Sequence, residues 1–345
     1  MLREMGNSSK EGKKRILYLD VLRIVACTMI VLMHSPSPDA NVPGYVQVPL
    51  YFLTAAGLVL FFMVSGALLL PINDTSFSWL RRRIGKVIWP LLFWSLFYIC
   101  DRFIKDGSFT NLAYDIVSLP FINSGHSVLW FLYTLIGLYL LAPIISPWIK
   151  NANRKEILFY LLLWFVSLSY PWIGKVLTIN DGPQGILYYF TGYVGYFILG
   201  YYLHRYGSRL PSWALTLCIV IPFAFLLIFK ALAGEGLMSL FWYLSVFVAI
   251  MAVAWFEGTR RLLNTVEFSS DLLSLVSNCT FGVYLIHYYI ISIIWKSDII
   301  VHGIGGIGQV IITWLIALIL SYIITWAISF LPYSEYIIGY SRKKK

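Results

Sequence analysis

The chain has 345 residues, 59% of them hydrophobic, 17% aromatic and only 12% charged, with a mean hydropathy of +0.76. Soluble domains average about 45–50% apolar and ~25% charged residues, so the composition excludes a soluble globular protein and fits an all-α, polytopic membrane helix bundle. The net charge of +10 does not imply a nucleic-acid partner, because the basic residues cluster at the ends of apolar segments, where they set topology.

A bilayer-crossing helix needs about 20 predominantly apolar residues. Ten segments are expected: Ile16 to Ser35, Pro49 to Ile72, Ile84 to Asp101, Ser127 to Trp148, Lys155 to Ile173, Gly185 to His204, Pro211 to Ala231, Leu237 to Phe256, Asp271 to Lys296 and Ile307 to Phe330. They form one membrane domain over residues 16–331, between a basic N-terminal segment, 1–15, and a basic tail, 332–345. No polar stretch reaches the ~50 residues that a separate soluble domain needs. The first apolar run is long, holds Asp20 and Arg23 and lacks a small-residue cleavage site, so it reads as a retained helix rather than a signal peptide. With the N-terminus inside, 20 of the 26 basic residues lie on the inner side and 5 on the outer, with Arg23 inside the first span. That asymmetry obeys the positive-inside rule and places both termini in the cytoplasm.

Cys27, Cys100, Cys218 and Cys279 all sit in apolar segments and none belongs to a C-x-x-C pair, so neither a disulfide framework nor a metal site is expected. On this topology His34, His126, His287 and His302 lie toward the outer side, and His204 alone is inner. The longest outer loop, from about Arg102 to His126, is long enough to cover a pocket. No internal repeat is visible.

The first span carries the sharpest signal. A charge deep in hydrocarbon costs roughly 2.5–3.5 kcal/mol on insertion scales and by default marks a functional site. Arg23 and His34 are eleven residues apart, which at about 100° and 1.5 Å per residue puts them on one helix face, ~16 Å apart along the axis. Asp20, three residues before Arg23, is placed to pair with it. An imidazole, with an unperturbed pKa of ~6.5, can take and return a proton near neutral pH. The bland alternatives are a helix-end histidine bonded to a carbonyl and an Asp20–Arg23 pair that only fixes packing.

Further candidates follow in chain order. Met63-Val-Ser-Gly66 offers Ser65 to a pocket or simply a small surface for close helix packing. Arg81, Arg82, Arg83 and Lys86 precede the third span as a basic cluster, suited to phosphate oxygens or to topology alone. Trp130 is either a pocket residue or an interfacial anchor. Ser277-Asn-Cys-Thr-Phe-Gly-Val-Tyr-Leu-Ile-His287 places Asn278 and a second imidazole in an apolar helix.

In this order the segments resemble the acyltransferase 3 family of integral membrane acyltransferases. The family's first-helix basic residue, ten residues and then His is matched by Arg23 and His34. Its Phe-Phe-x-x-Ser-Gly run is matched by Phe61-Phe-Met-Val-Ser-Gly66, and its Arg-x-x-Arg step with a following Pro by Arg83-Ile-Gly-Lys86 and Pro90. Lys86 departs from the second Arg, and a lysine cannot grip phosphate with two parallel bonds. Leu129 to Leu132, Tyr196-Phe-Ile-Leu-Gly-Tyr and Phe281-Gly-Val-Tyr-Leu-Ile-His287 are similar to the later signatures.

The resemblance implies a multi-pass protein of the cytoplasmic (inner) membrane that transfers an acyl group, typically acetyl, from acetyl-CoA or another acyl-CoA. The acceptor would be a hydroxyl of a sugar, glycan or lipid-linked molecule. Arg82, Arg83 and Lys86 would hold the phosphates of CoA. His34 would serve as general base or transient acyl carrier, with Arg23 and Asp20 beside it, and Ser65, Trp130, Asn278 and His287 would line the substrate pocket. Membrane lipids are the surroundings, no nucleic acid is involved, and a homodimer is compatible with the reading. The competing class is a transporter or flippase for a glycan or lipid-linked sugar, which lacks support from internal symmetry or paired broken helices.

Overall fold

The computed structural model describes residues 15–73, 77–120, 127–176, 186–233, 242–266, 268 and 270–342. The N-terminal basic segment before Arg15, His126 and the final three lysines lie outside the described residues. The described chain is all-α: α1 (Leu17–His34), α2 (Gly44–Leu69), α3 (Phe77–Asp106), α4 (Phe109–Ser118), α5 (Trp130–Asn151), α6 (Arg154–Ser167), α7 (Tyr170–Val176), α8 (Val194–Tyr206), α9 (Ser212–Ala233), α10 (Val246–Leu263), α11 (Asp271–Ile294), α12 (Gly306–Ile328) and α13 (Glu335–Ile338).

Among the described residues, seven helical segments are long and apolar enough to cross a bilayer: α1, α2, α3, α5, α6 continued through α7 to Ile173, α11 and α12. The other three expected spans correspond to α8, α9 and α10. α8 has only 13 residues, because Tyr188–Phe190 forms a separate 3₁₀ turn before it. The apolar part of α9 is shorter than a full span, Ser212–Ile228. α10 ends in Glu257, Arg260 and Arg261, so its charged last turns reduce its apolar length. The chain is a polytopic helical membrane protein.

Two boundaries differ from expectation. α3 begins at Phe77, so the basic cluster forms its first turns rather than a loop before it. The segment expected as a plain outer loop contains α4, capped by Ser108, whose side chain accepts from the Asn111 N–H at 3.3 Å. Asp115 of α4 is buried and pairs with Arg102 of α3 at 2.7 Å, which folds the helix against the bundle.

α2 is the most enclosed helix. In its most apolar stretch 72% of residues are buried, against 28% for α12, so α2 is the axis of the bundle and α12 a lipid-facing wall. α2 packs on α1, α8, α9 and α10, and α1 packs in turn on α10, α11 and α12. Glycine makes the α2–α8 contact possible. A Cβ on Gly66 would meet the backbone of Phe197, and one on Gly200 would meet the backbone of Met63. The two helices therefore touch backbone to backbone, the small-residue packing that replaces hydrophobic driving force inside lipid. The Ser65-Gly66 step is a packing surface at its glycine.

Candidate functional site

α1 holds the expected residues, and its two ends are built differently. At the Arg15 end, the Asp20 carboxylate, 6% exposed, is the hub. Arg15 grips it with two parallel bonds, Nε to Oδ2 and Nη2 to Oδ1, each 2.9 Å. Ser277 of α11 donates to Oδ1 at 2.6 Å. The Asn278 side-chain oxygen accepts from both Arg15 Nη atoms at 3.3 Å. Donating to the Asp20 carboxylate raises the Arg15 guanidinium above its ordinary value. This network clasps the start of α1 to α11, with Arg15 the main counter-ion of Asp20 and the expected Arg23 pair a second, longer one.

Arg23 is left with an Asp20 contact of 3.5 Å and 31% of its side chain accessible. Among the described residues its guanidinium makes no hydrogen bond. It lies in the field of Tyr139 of α5, which is also within reach of the Ser65 hydroxyl and of the charge on Arg83. Residues from α1, α2, α3 and α5 thus meet around Tyr139, with Arg23 contributing a cation whose donors are unfilled among the described residues. Such a cation is suited to an anionic or carbonyl oxygen.

The basic cluster on α3 divides. Arg83 turns to the Trp79 ring, 6.0 Å away, on the Tyr139 side. Arg81, Arg82 and Lys86 instead line a groove of about 1440 Å³ between α3 and the segment around α13, together with Trp89, Tyr336, Tyr340 and one acid, Glu335. The expected rim of Arg82, Arg83 and Lys86 is therefore two surfaces on one helix, because successive helical residues point about 100° apart. A second, smaller pocket of about 370 Å³ lies against α5, α6 and α8, and only apolar and aromatic residues such as Trp148, Tyr160 and Trp164 line it. Among the described residues no imidazole, carboxylate or basic side chain lines it.

At the other end of α1, His34 meets His287 of α11. The rings are 5.1 Å apart, and the His287 Nε2 lies 3.4 Å from His34 Nδ1. His34 Nδ1 is also 2.8 Å from the Ile30 carbonyl, and His287 Nδ1 is 2.6 Å from the Tyr284 carbonyl. A carbonyl only accepts, so each Nδ1 carries the hydrogen and each neutral ring keeps its lone pair on Nε2. The His287 lone pair faces His34. The His34 Nε2 has no hydrogen-bond partner among the described residues. The edge of Tyr288, 5.6 Å away, packs against the His34 ring.

The turn after His34 is fastened from α12. Gln309, fully buried, donates to the Ser35 carbonyl at 3.0 Å and to Thr313 at 2.8 Å, and accepts from the Ser37 N–H at 3.2 Å. The Trp295 N–H also reaches the Ser35 carbonyl, at 3.2 Å. Beside this end, Trp130 sits between Tyr193 and Tyr243, with ring centroids 5.4 and 5.5 Å away, and the Tyr243 hydroxyl approaches the Met33 sulfur at 3.5 Å. Trp130 therefore belongs to an aromatic cluster bordering the residue next to His34.

The four expected pocket residues separate in space. His287 joins His34, Trp130 sits in the cluster that reaches Met33 through Tyr243, Ser65 accompanies Tyr139, and Asn278 belongs to the Asp20 clasp. Asn278 precedes His287 by nine residues, about 13 Å of helix, so it is remote from His34. Tyr139 and Arg15 were not singled out by sequence. Nothing marks one tyrosine among 24, and Arg15 reads as one more topology charge. Among the described residues no cluster of His, Cys, Asp or Glu could hold a metal ion, and all four cysteines are free.

No curated protein and no solved structure matches the chain. A family model does: the acyltransferase domain of the acyltransferase 3 family matches residues 16–330. The matched stretch contains every helix that builds the His34, Arg23 and Asp20 sites, and the chain belongs to the acyltransferase 3 family of membrane acyltransferases.

Proposed function

We propose that this acyltransferase moves an acetyl group from cytoplasmic acetyl-CoA, or another acyl group from its acyl-CoA, to a hydroxyl of a sugar, glycan or lipid-linked acceptor, with His34 handling the proton. The observation that carries the reading is the His34 ring: its Nδ1–H is committed to the Ile30 carbonyl, and its Nε2 lone pair is unfilled among the described residues. That is the state a general base needs before reaction.

His34 Nε2 accepts the acceptor's hydroxyl proton as that oxygen bonds to the acyl carbonyl carbon. The tetrahedral centre then collapses, the C–S bond breaks, and His34 returns the proton to the departing thiolate. The same lone pair can instead attack the carbonyl first, breaking the C–S bond and expelling the CoA thiolate. The acceptor oxygen then takes the acyl group from the imidazolium, its proton leaving to the thiolate or to water. Arg23, with open donors and a longer Asp20 contact, suits the developing negative charge or the donor's polar arm. The groove bearing Arg81, Arg82 and Lys86 has cations for phosphates and aromatic rings for a base, with Glu335 limiting where a phosphate can sit. The rings around Trp130 offer an acceptor stacking surfaces beside Met33, the residue before His34. The positive-inside rule supports a cytoplasmic side for this groove.

The test is incubation of purified protein with acetyl-CoA, following free thiol with and without a panel of sugar and glycan acceptors. Acceptor-dependent thiol release supports the reading. Retention of full release by His34→Ala would overturn it. A chain that only carried glycans would leave acetyl-CoA intact.

A further inference from the structure

We propose that His287 is a positioning residue for His34. Its Nε2 lone pair accepts a share of the His34 Nδ1 hydrogen and strengthens that bond when His34 is protonated. The inference rests on the reading that His34 takes the acceptor's proton.

His287 is 0% exposed, so it meets His34 rather than a ligand. A buried imidazole is costly unless its polar atoms are matched, and here both are. Nδ1 donates to the Tyr284 carbonyl at 2.6 Å, and that bond leaves Nε2 as an acceptor facing His34 at 3.4 Å. The other tautomer would place a lone pair against that carbonyl, and a flipped ring would put a carbon there and lose the bond. His34 Nδ1–H consequently has two acceptors, the Ile30 carbonyl and His287 Nε2, and the ring is held with Nε2 turned away from both.

When His34 gains a proton at Nε2, positive charge spreads onto Nδ1–H. The neighbouring lone pair then makes a charge-assisted bond, stronger and shorter than the resting 3.4 Å contact. Such bonds are often long in the resting protein and tighten only as charge develops. No proton passes to His287, and no covalent bond is made or broken there. The alternative is that His287 only packs against His34, as Tyr288 does.

Two substitutions separate these roles. A glutamine side-chain oxygen falls near the position of a histidine Nε2, so His287→Gln keeps an acceptor toward His34. An asparagine is too short to reach His34 and retains only the Tyr284 side of the contact. The first readout needs no substrate: ¹⁵N magnetic resonance of the ring-labelled protein in membranes, with His34 assigned from its loss in His34→Ala. The expected result is a His34 Nδ1–H signal shifted by hydrogen bonding, retained in His287→Gln and moved in His287→Asn. The second readout is thiol release from acetyl-CoA. His287→Asn should lower kcat about 10–100-fold, the range for losing a hydrogen bond to a charged group, with KM for acetyl-CoA within twofold, and His287→Gln should restore most of the rate. An unprotonated His34 Nδ1, or signals and rates that are the same in the Gln and Asn variants, would overturn the proposal. Full activity in His34→Ala would instead overturn the reading beneath it, and would leave the resonance result standing.

Discussion

The two ends of α1 hold the same kinds of groups in opposite states. At the Arg15 end, Asp20 is saturated by Arg15 and Ser277, with Asn278 completing the Arg15 side. At the other, His34 uses one nitrogen and leaves the second unfilled among the described residues. Saturation is what a structural role looks like, since an unpaired buried charge is expensive. An unfilled lone pair in a packed bundle is retained where a ligand completes it. Arg23 lies between these extremes, paired loosely and hydrogen-bonded to nothing described.

Substitutions at the two ends should therefore fail in different ways. The largest effect is expected from His34→Ala: a fall in transfer of about 10²–10⁴-fold, the usual contribution of a positioned base, with acetyl-CoA affinity by calorimetry and thermal unfolding both close to the parent. A comparable loss of stability would erase the distinction. Asp20→Ala should do the reverse. It strands Arg15 and Ser277 and should cost about 3 kcal/mol, the low end for breaking a buried pair, because Arg15 is 42% exposed. Thermal unfolding in detergent measures it, and an unchanged midpoint would mean that the clasp is ornamental.

Smaller effects sharpen the picture along the walls. Gly200→Ala pushes a methyl group onto the Met63 backbone and should cost about 1–3 kcal/mol, the range for overpacking. The loss is read from the same unfolding curves, and Gly137→Ala, with open space around it, is the control. The smallest effect belongs to Arg82→Ala with Lys86→Ala. Losing these groove cations should raise the KM for acetyl-CoA about tenfold, or ~1.4 kcal/mol, with kcat within twofold. A change in kcat alone would move the donor's phosphates elsewhere.

The helical fold was legible because lipid allows few alternatives: long apolar runs must become helices, and α1, α11 and α12 start and end close to expectation. The alignment of Arg23 with His34 was legible because it depends only on the helical repeat. Polar segments beside the membrane were less readable. The start of α3 and the whole of α4 lack the apolar run that betrays a span, and α4 is held by its Ser108 cap and the Arg102–Asp115 pair. The encounter of His34 with His287 was illegible, because the partners are 253 positions apart. Sequence could name each imidazole but not their shared hydrogen bond. The same holds for Tyr139, brought to Arg23 and Ser65 by the packing of α5.

The Arg15 clasp has a practical consequence. Because the residue that satisfies Asp20 stands ahead of the first helix, the leading edge of the chain is not all dispensable. Trimming the chain past Arg15 would strip the Asp20 carboxylate of its main counter-ion and loosen the seam between the first and eleventh helices. Fusion partners and purification tags belong upstream of that arginine.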